Sequence, residues 1–280
     1  MAAPDFVAVG HVTLDRLGDA IRPGGAALYA AIAAHRLGLS AGILTSHADD
    51  FPLDALPPQI EVVTVPAART TTFEHRDVDG RRVLRVRDAA NPLGTADVPD
   101  DWRDAPIVLL APVLNEVDPL LATAFADASL GAAAQGWLRG FGPDGAVTAV
   151  MWTPPDFFIA RLQALFLSRE DVGTDLTGAV EMFQRVPVGA LTAGEDGALL
   201  FVNGERYEVR PHPAHEIDGT GAGDVFAATF LIDYHHDGNP WDAAARAACA
   251  GALTVRGEGV ATIPDRAALD TALQAYRAAE

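Results

Sequence analysis

At 280 residues and 49% hydrophobic content the chain can bury the core of one large domain, and it is too apolar to be disordered. Its 38 acidic and 20 basic residues give a formal charge of −18, which argues against nucleic acid and anionic membrane surfaces as partners. All 20 basic residues are arginine, which excludes a lysine-bearing phosphate loop, a protein-kinase lysine and Schiff-base chemistry.

The chain begins Met1-Ala-Ala-Pro-Asp-Phe6, without the basic and apolar segments of a secretory signal, and no apolar run reaches the about 20 residues of a membrane helix. A cytoplasmic protein is expected. Short strand patterns then alternate with longer helical ones: a strand at 6–9, a helix at 26–37, strands at 43–45 and 107–111, and a helix at 117–128. Further strands are expected at 130–134, 164–167, 190–192 and 198–202, and helices at 180–184, 222–236, 241–256 and 266–278. This rhythm predicts a three-layer, doubly wound α/β domain with a mostly parallel sheet, one unit over residues 1–280. Residues 60–65, 70–76 and 82–86 read as consecutive strands, the last two joined through Asp79-Gly80, a strong hairpin signal. They predict a small antiparallel β lid inserted at about 60–88, over the crevice at the carboxyl ends of the strands. The alternative is a plain surface excursion. The stretch 136–145, with four glycines and Pro143, reads as a loop. The single Cys249 reads as a small buried hydrophobe, and His212, His215, His235 and His236 lack the spacing of a zinc site.

Chemistry is densest in Ile217-Asp-Gly-Thr-Gly-Ala-Gly-Asp224, which leads into a long apolar helix. The glycines let the backbone approach a ligand, and the helix start favours negative charge through its N–H groups and dipole. Asp224 in the first turn could merely complement that dipole, for about 0.3–1 kcal/mol. Beside an anion cradle, a carboxylate also suits removal of a proton from a hydroxyl that attacks a phosphoryl group. In a chain without lysine, ATP would have to be managed by Mg²⁺, arginine and backbone N–H groups. A dinucleotide fingerprint is the poorer reading, because the third glycine is missing and 210–216 is no buried strand.

Asp218-Gly-Thr-Gly-Ala-Gly-Asp-Val-Phe226 resembles the C-terminal signature of the ribokinase-like (PfkB) carbohydrate kinases, usually Asp-Thr-x-Gly-Ala-Gly-Asp-x-Phe, with one departure at Gly219. Pro23-Gly-Gly-Ala-Ala-Leu-Tyr29, leading to Arg36-Leu-Gly38, is similar to the family's N-terminal motif, and Thr192-Ala-Gly-Glu-Asp-Gly197 to its Thr-x-Gly-x-x-Gly. The resemblance implies an ATP-dependent kinase for a small carbohydrate or polyol. Asp224 would be the base, with Gly221, Ala222 and Gly223 as the anion hole. Asp15, Gly24 and Gly25 would hold substrate hydroxyls, and Thr192, Gly194, Gly197 and Thr220 would meet the nucleotide. Asp218 and Thr220, with carbonyls of 256–259, fall where many relatives hold a monovalent cation such as K⁺. Relatives also often form homodimers through lid strands.

Two departures bear on substrate and metal. Leu28 stands where the family usually has a sugar-binding Asn, and Ser168-Arg-Glu-Asp171 replaces Asn-x-x-Glu, which leaves Asp171, with Glu170 as fallback, for Mg²⁺. Within the family the likeness is nearest to myo-inositol kinases, on Thr71-Thr-Phe-Glu74, Arg82-Val-Leu84 and the segment 135–139. Glu74 and Arg139 then join Asp15 as expected hydroxyl partners, although Arg139 could equally cap a loop. A nucleoside kinase, using Phe73, Leu28 and Tyr29 as a base slot, and a non-catalytic ligand-binding member of the fold are the alternatives.

Overall fold

Alternate side chains of the predicted strands are buried on opposite faces of one large sheet, which is why these runs are apolar at nearly every position. The computed structural model describes residues 2–78, 81–173 and 176–278, except the side chains of 76–78, 81 and 82. The Asp79-Gly80 turn lies outside the described residues. In chain order the first half holds β1 (Phe6–Val9), β2 (Thr13–Leu17), β3 (Ala20–Gly24), α1 (Ala26–Arg36), β4 (Ala41–His47), β5 (Glu61–Pro66), β6 (Thr71–Val78), β7 (Arg81–Asp88), β8 (Ile107–Leu110) and β9 (Ser129–Ala133). Next come β10 (Arg139–Phe141), β11 (Val147–Ala149), α2 (Asp156–Ile159), β12 (Ala164–Ser168), α3 (Arg169–Val172), α4 (Thr177–Phe183), β13 (Val188–Thr192), β14 (Ala198–Val202) and β15 (Glu205–Val209). The chain closes with α5 (Ala222–Asp237), α6 (Pro240–Thr254) and α7 (Arg266–Ala278).

The large sheet runs β15-β14-β13-β12-β9-β8-β1-β4-β5, parallel from β13 to β5 and antiparallel at β14 and β15. One face, with Phe6, Ala8, Ile43, Leu109 and Phe166, packs against α1, α5, α6 and α7. The other, with Val7, Val9, Leu44, Val108 and Leu165, packs against Trp102, Phe125, Trp137, Phe158 and Phe183. Helix α5 is buried from Val225 to Ile232 and apolar around its circumference, because α1, α6 and the sheet enclose it. The three layers are those expected. Chain order reverses beside β1, so the crevice at its carboxyl end is a natural ligand site.

Three expectations are corrected. The strand expected at 60–65 is β5 (Glu61–Pro66), which pairs with β4 at the edge of the large sheet rather than in the lid. The small sheet is instead β3-β2-β6-β7, with one parallel pairing between β2 and β6. Residues 117–128 form no α-helix: Asp118 caps a 3₁₀ segment at Pro119–Ala124. Residues 136–145 are not simply a loop, since a 3₁₀ turn at Ala134–Leu138 feeds β10, which pairs with β11. That hairpin meets the outer edge of β7 at Arg85 and Val86, where Val86 N–H donates to the Gly145 carbonyl at 2.8 Å and Arg85 pairs with Asp144 at 3.2 Å. The lid's other edge strand is β3. Among the described residues no helix is long and apolar enough to cross a membrane.

Candidate active site

Helix α5 begins at Gly221, whose φ of 79° is the left-handed conformation that glycine adopts without strain. A Cβ there would lie 2.1 Å from Cδ1 of Tyr29, so the ring of α1 rests directly on the turn. No side chain caps α5, and Gly223 is exposed with open space at its Cα, which leaves the helix start available to an anion. Gly221→Ala meets both the ring and an unfavourable φ. Its expected result is a stability loss of about 1–3 kcal/mol with at least a tenfold drop in turnover, read by denaturant unfolding and initial rates.

Asp224 projects from this first turn into the crevice. Burial pushes its carboxyl up to about 7, Arg139 opposes the shift and Asp171 adds to it. Asp15 on β2 is pushed up to about 6, again by burial first, against a hydrogen bond donated by Thr13 Oγ1 at 3.1 Å and the attraction of Arg139. Arg139 starts β10. Burial lowers its pKa, while Asp171, Asp224, Asp15 and Glu116 favour its charge. Among the described residues its guanidinium makes no hydrogen bond or ion pair. The guanidinium thus lies near four acids with its hydrogen-bond donors uncommitted among the described residues.

Arg139 is placed by an aromatic anchor two residues earlier. Trp137 donates its indole N–H to the Val117 carbonyl at 2.9 Å, stacks on Trp152 at 4.6 Å and meets the edge of Phe158 at 5.2 Å. Glu116, only 6% exposed, braces the floor of the crevice by accepting N–H bonds from His11, Val113 and Leu114 at 2.7–3.0 Å. His11 links that floor to the lid. Its Nε2 lies 2.8 Å from the Asn91 carbonyl and must donate, so Nδ1 accepts from Thr71 Oγ1 at 2.7 Å.

The glycine pair ahead of α1 serves close approach. A Cβ on Gly24 would sit 2.3 Å from Asp15 Oδ2, and one on Gly25, at φ 103°, 2.3 Å from the His11 carbonyl. Leu28 is 1% exposed within the core, so it offers no ligand face in this conformation. Glu74 is not brought to the site. Asp15 pairs in register with Phe73, which puts Glu74 on the opposite face of the lid, bonded to Arg87 at 2.5 Å. Phe73, Leu84 and Val86 share the face of Asp15 instead. Tyr29, named above only as part of a base slot, lies among Asp218, Asp15 and Asp224, where burial and those acids raise its hydroxyl pKa.

Asp171 is the third residue of a capping box: its Oδ2 accepts from Ser168 Oγ at 2.7 Å and Ser168 N–H at 3.1 Å. Its Oδ1 makes no hydrogen bond among the described residues, whereas Glu170 is exposed and is not among the charges that shift Asp224 or Arg139. Among the described residues no group of three metal-ligating side chains occurs. Thr192 ends β13, where its Oγ1 lies 3.4 Å from the Leu167 carbonyl. Gly194 has open space at its Cα, while Gly197 is pressed against the Val209 carbonyl. Asp218 binds the N–H groups of Thr220 at 3.0 Å and Gly259 at 3.2 Å. Next to it Ile217, 60% exposed, overlooks a depression of about 490 Å³ lined by Pro213, Ala214, His215 and Arg256.

Residues 162–266 match the family described as pfkB family carbohydrate kinase. The chain is 33% identical over 195 residues to an inositol 3-kinase of Zea mays, covering 65% of this chain and 48% of that protein. It therefore spans about half the length of that relative. It is 27% identical over 266 residues to a cytidine kinase of Thermococcus kodakarensis, covering 82% and 88%. A pyrophosphate-dependent kinase in the ribokinase family, solved as a sulfate complex, superposes with a TM-score of 0.79 at 22% identity, covering 95% and 99%.

Proposed function

From a chain that carries a pfkB family carbohydrate kinase domain on the ribokinase-family fold, we propose an ATP-dependent kinase that phosphorylates a hydroxyl of a small cyclic polyol, best fitted by myo-inositol. The observation that carries this reading is the meeting of Asp224, Asp15 and Arg139 in one crevice between the α5 anion cradle and the lid.

In this reading Asp224 accepts the proton of the attacking hydroxyl, while Asp15 accepts hydrogen bonds from other hydroxyls of the ring. The apolar side chains Phe73, Leu84 and Val86 face the ring's C–H surface. The backbone of Gly221, Ala222 and Gly223 receives the phosphoryl oxygens, and the Arg139 fork balances their charge. Mg²⁺, held through water by Asp171, would neutralise charge on the phosphates. The depression beside Ile217 suits an adenine base and favours ATP over pyrophosphate as donor, and Thr192 and Gly194 are the further residues assigned to the nucleotide. Because the hairpin β10–β11 already meets β7 at Arg85 and Val86, a homodimer through the lid would be built more readily on β3.

A donor and acceptor panel tests the proposal. Myo-inositol and cytidine are each incubated with Mg·ATP or Mg·pyrophosphate, and products are read by mass spectrometry. Inositol monophosphate made from ATP is expected. Phosphorylation of cytidine without turnover of inositol moves the acceptor to the nucleosides, transfer from pyrophosphate alone overturns the donor, and binding of inositol without any transfer favours a non-catalytic role.

A further inference from the structure

Arg22 stands on β3 of the lid, yet its guanidinium lies against two acids outside the lid. Nη2 is 2.8 Å from Glu258 Oε2, and Nη1 is 3.7 Å from Asp218 Oδ2. Asp218 belongs to the turn that opens into the anion cradle, and Glu258 to the loop whose Gly259 N–H that same Asp218 accepts. Asp218 is thereby surrounded by two backbone donors and a cation, and its pKa falls below the ordinary carboxylate value despite partial burial.

A monovalent cation is expected from the resemblance at this junction of 218–220 with 256–259. The residues do not fit one. The oxygens of Asp218 already face N–H groups, and an added K⁺ would sit beside a guanidinium of the same sign. We infer that Arg22 takes the place of that cation: it is a positioning residue, supplied by the lid, that joins the turn 218–220 to the loop 256–259 when the lid lies closed. An exposed ion pair of this kind adds little to global stability, so its effect falls on the lid and cradle. It also makes lid position and order of the anion cradle one event, because the same side chain spans both.

The inference rests on the kinase reading for its kinetic consequences, so the test pairs kinetics with a measurement that needs no turnover. Wild-type kcat/KM and thermal midpoint are expected to agree, within twofold and within experimental error respectively, between KCl and tetramethylammonium chloride at equal ionic strength. Arg22→Gln is expected to lose about tenfold in kcat/KM, mainly through KM, and to bind Mg·ADP more weakly by calorimetry, with Arg22→Lys restoring most of both. Severalfold stimulation or a raised thermal midpoint of the wild type in K⁺ overturns the inference, as does an Arg22→Gln protein that matches the wild type in KM and ADP affinity. If no acceptor is turned over, the kinase reading fails by itself, while the K⁺ dependence of the thermal midpoint still decides whether a cation occupies the junction.

Discussion

Asp224→Asn is expected to lower kcat by about 100- to 10,000-fold, the usual worth of a positioned general base, while making the folded protein more stable at neutral pH. The two effects have one origin. Burial holds the Asp224 carboxyl at about 7 against its ordinary value of 3.8, so between those values the folded chain binds a proton that the unfolded chain has released. Stability therefore falls as pH rises through that window, and the cost is complete above about 7. The full shift converts to about 4 kcal/mol, and access of water to the crevice reduces the expected gain in Asp224→Asn to about 1–3 kcal/mol at pH 8. Below about pH 4 wild type and variant should unfold alike, as read by thermal melts at both pH values. A structural carboxylate that only complements the helix dipole would give the opposite sign, since its removal would destabilise. In the wild type, kcat/KM should rise about tenfold per pH unit up to about 7 and then level.

Arg139→Met is expected to cost about 100- to 1,000-fold in kcat/KM, comparable to the loss of one preorganised donor to a developing anion. Removing this cation also takes away the attraction that holds Asp224 and Asp15 down, so the rise of kcat/KM with pH should move to higher pH. Arg139→Lys should restore part of that pH shift, because the charge returns, but little of the rate, because the planar fork does not. If Arg139 only caps its loop, Arg139→Met would lower the thermal midpoint and leave the pH profile where it was.

Local chemistry made the glycine turn and the enclosed helix behind it legible in the sequence. The turn at 218–224 and the apolar run behind it carry their meaning in adjacent residues: glycines for close approach, an acid in the first turn, and a helix too apolar to be anything but enclosed. Non-local contacts hid the rest. Glu116 acts on the backbone of His11, 105 residues away, and no spacing announces such a pairing. Trp137 reads as any buried aromatic until Val117, Trp152 and Phe158 are seen around it. Residues 60–65 have the alternation of a strand, but alternation does not say which sheet a strand joins. Glu74 was expected at the substrate on the likeness of a short motif, and strand geometry turns it away because Asp15 registers with its neighbour Phe73. The glycines of 136–145 suggested a loop, whereas Gly145, in the turn between β10 and β11, serves a close approach of that hairpin to Val86 on the lid edge.

The central claim is transfer of a phosphoryl group from ATP to a polyol hydroxyl with Asp224 as base, and phosphorus NMR of one reaction mixture tests it most directly. With Mg·ATP and myo-inositol, the wild type should give an inositol monophosphate resonance that grows in step with ADP, and Asp224→Asn at equal concentration should give none on the same time scale. ADP formed without an inositol phosphate, or an Asp224→Asn protein that keeps most of the wild-type rate, would contradict it.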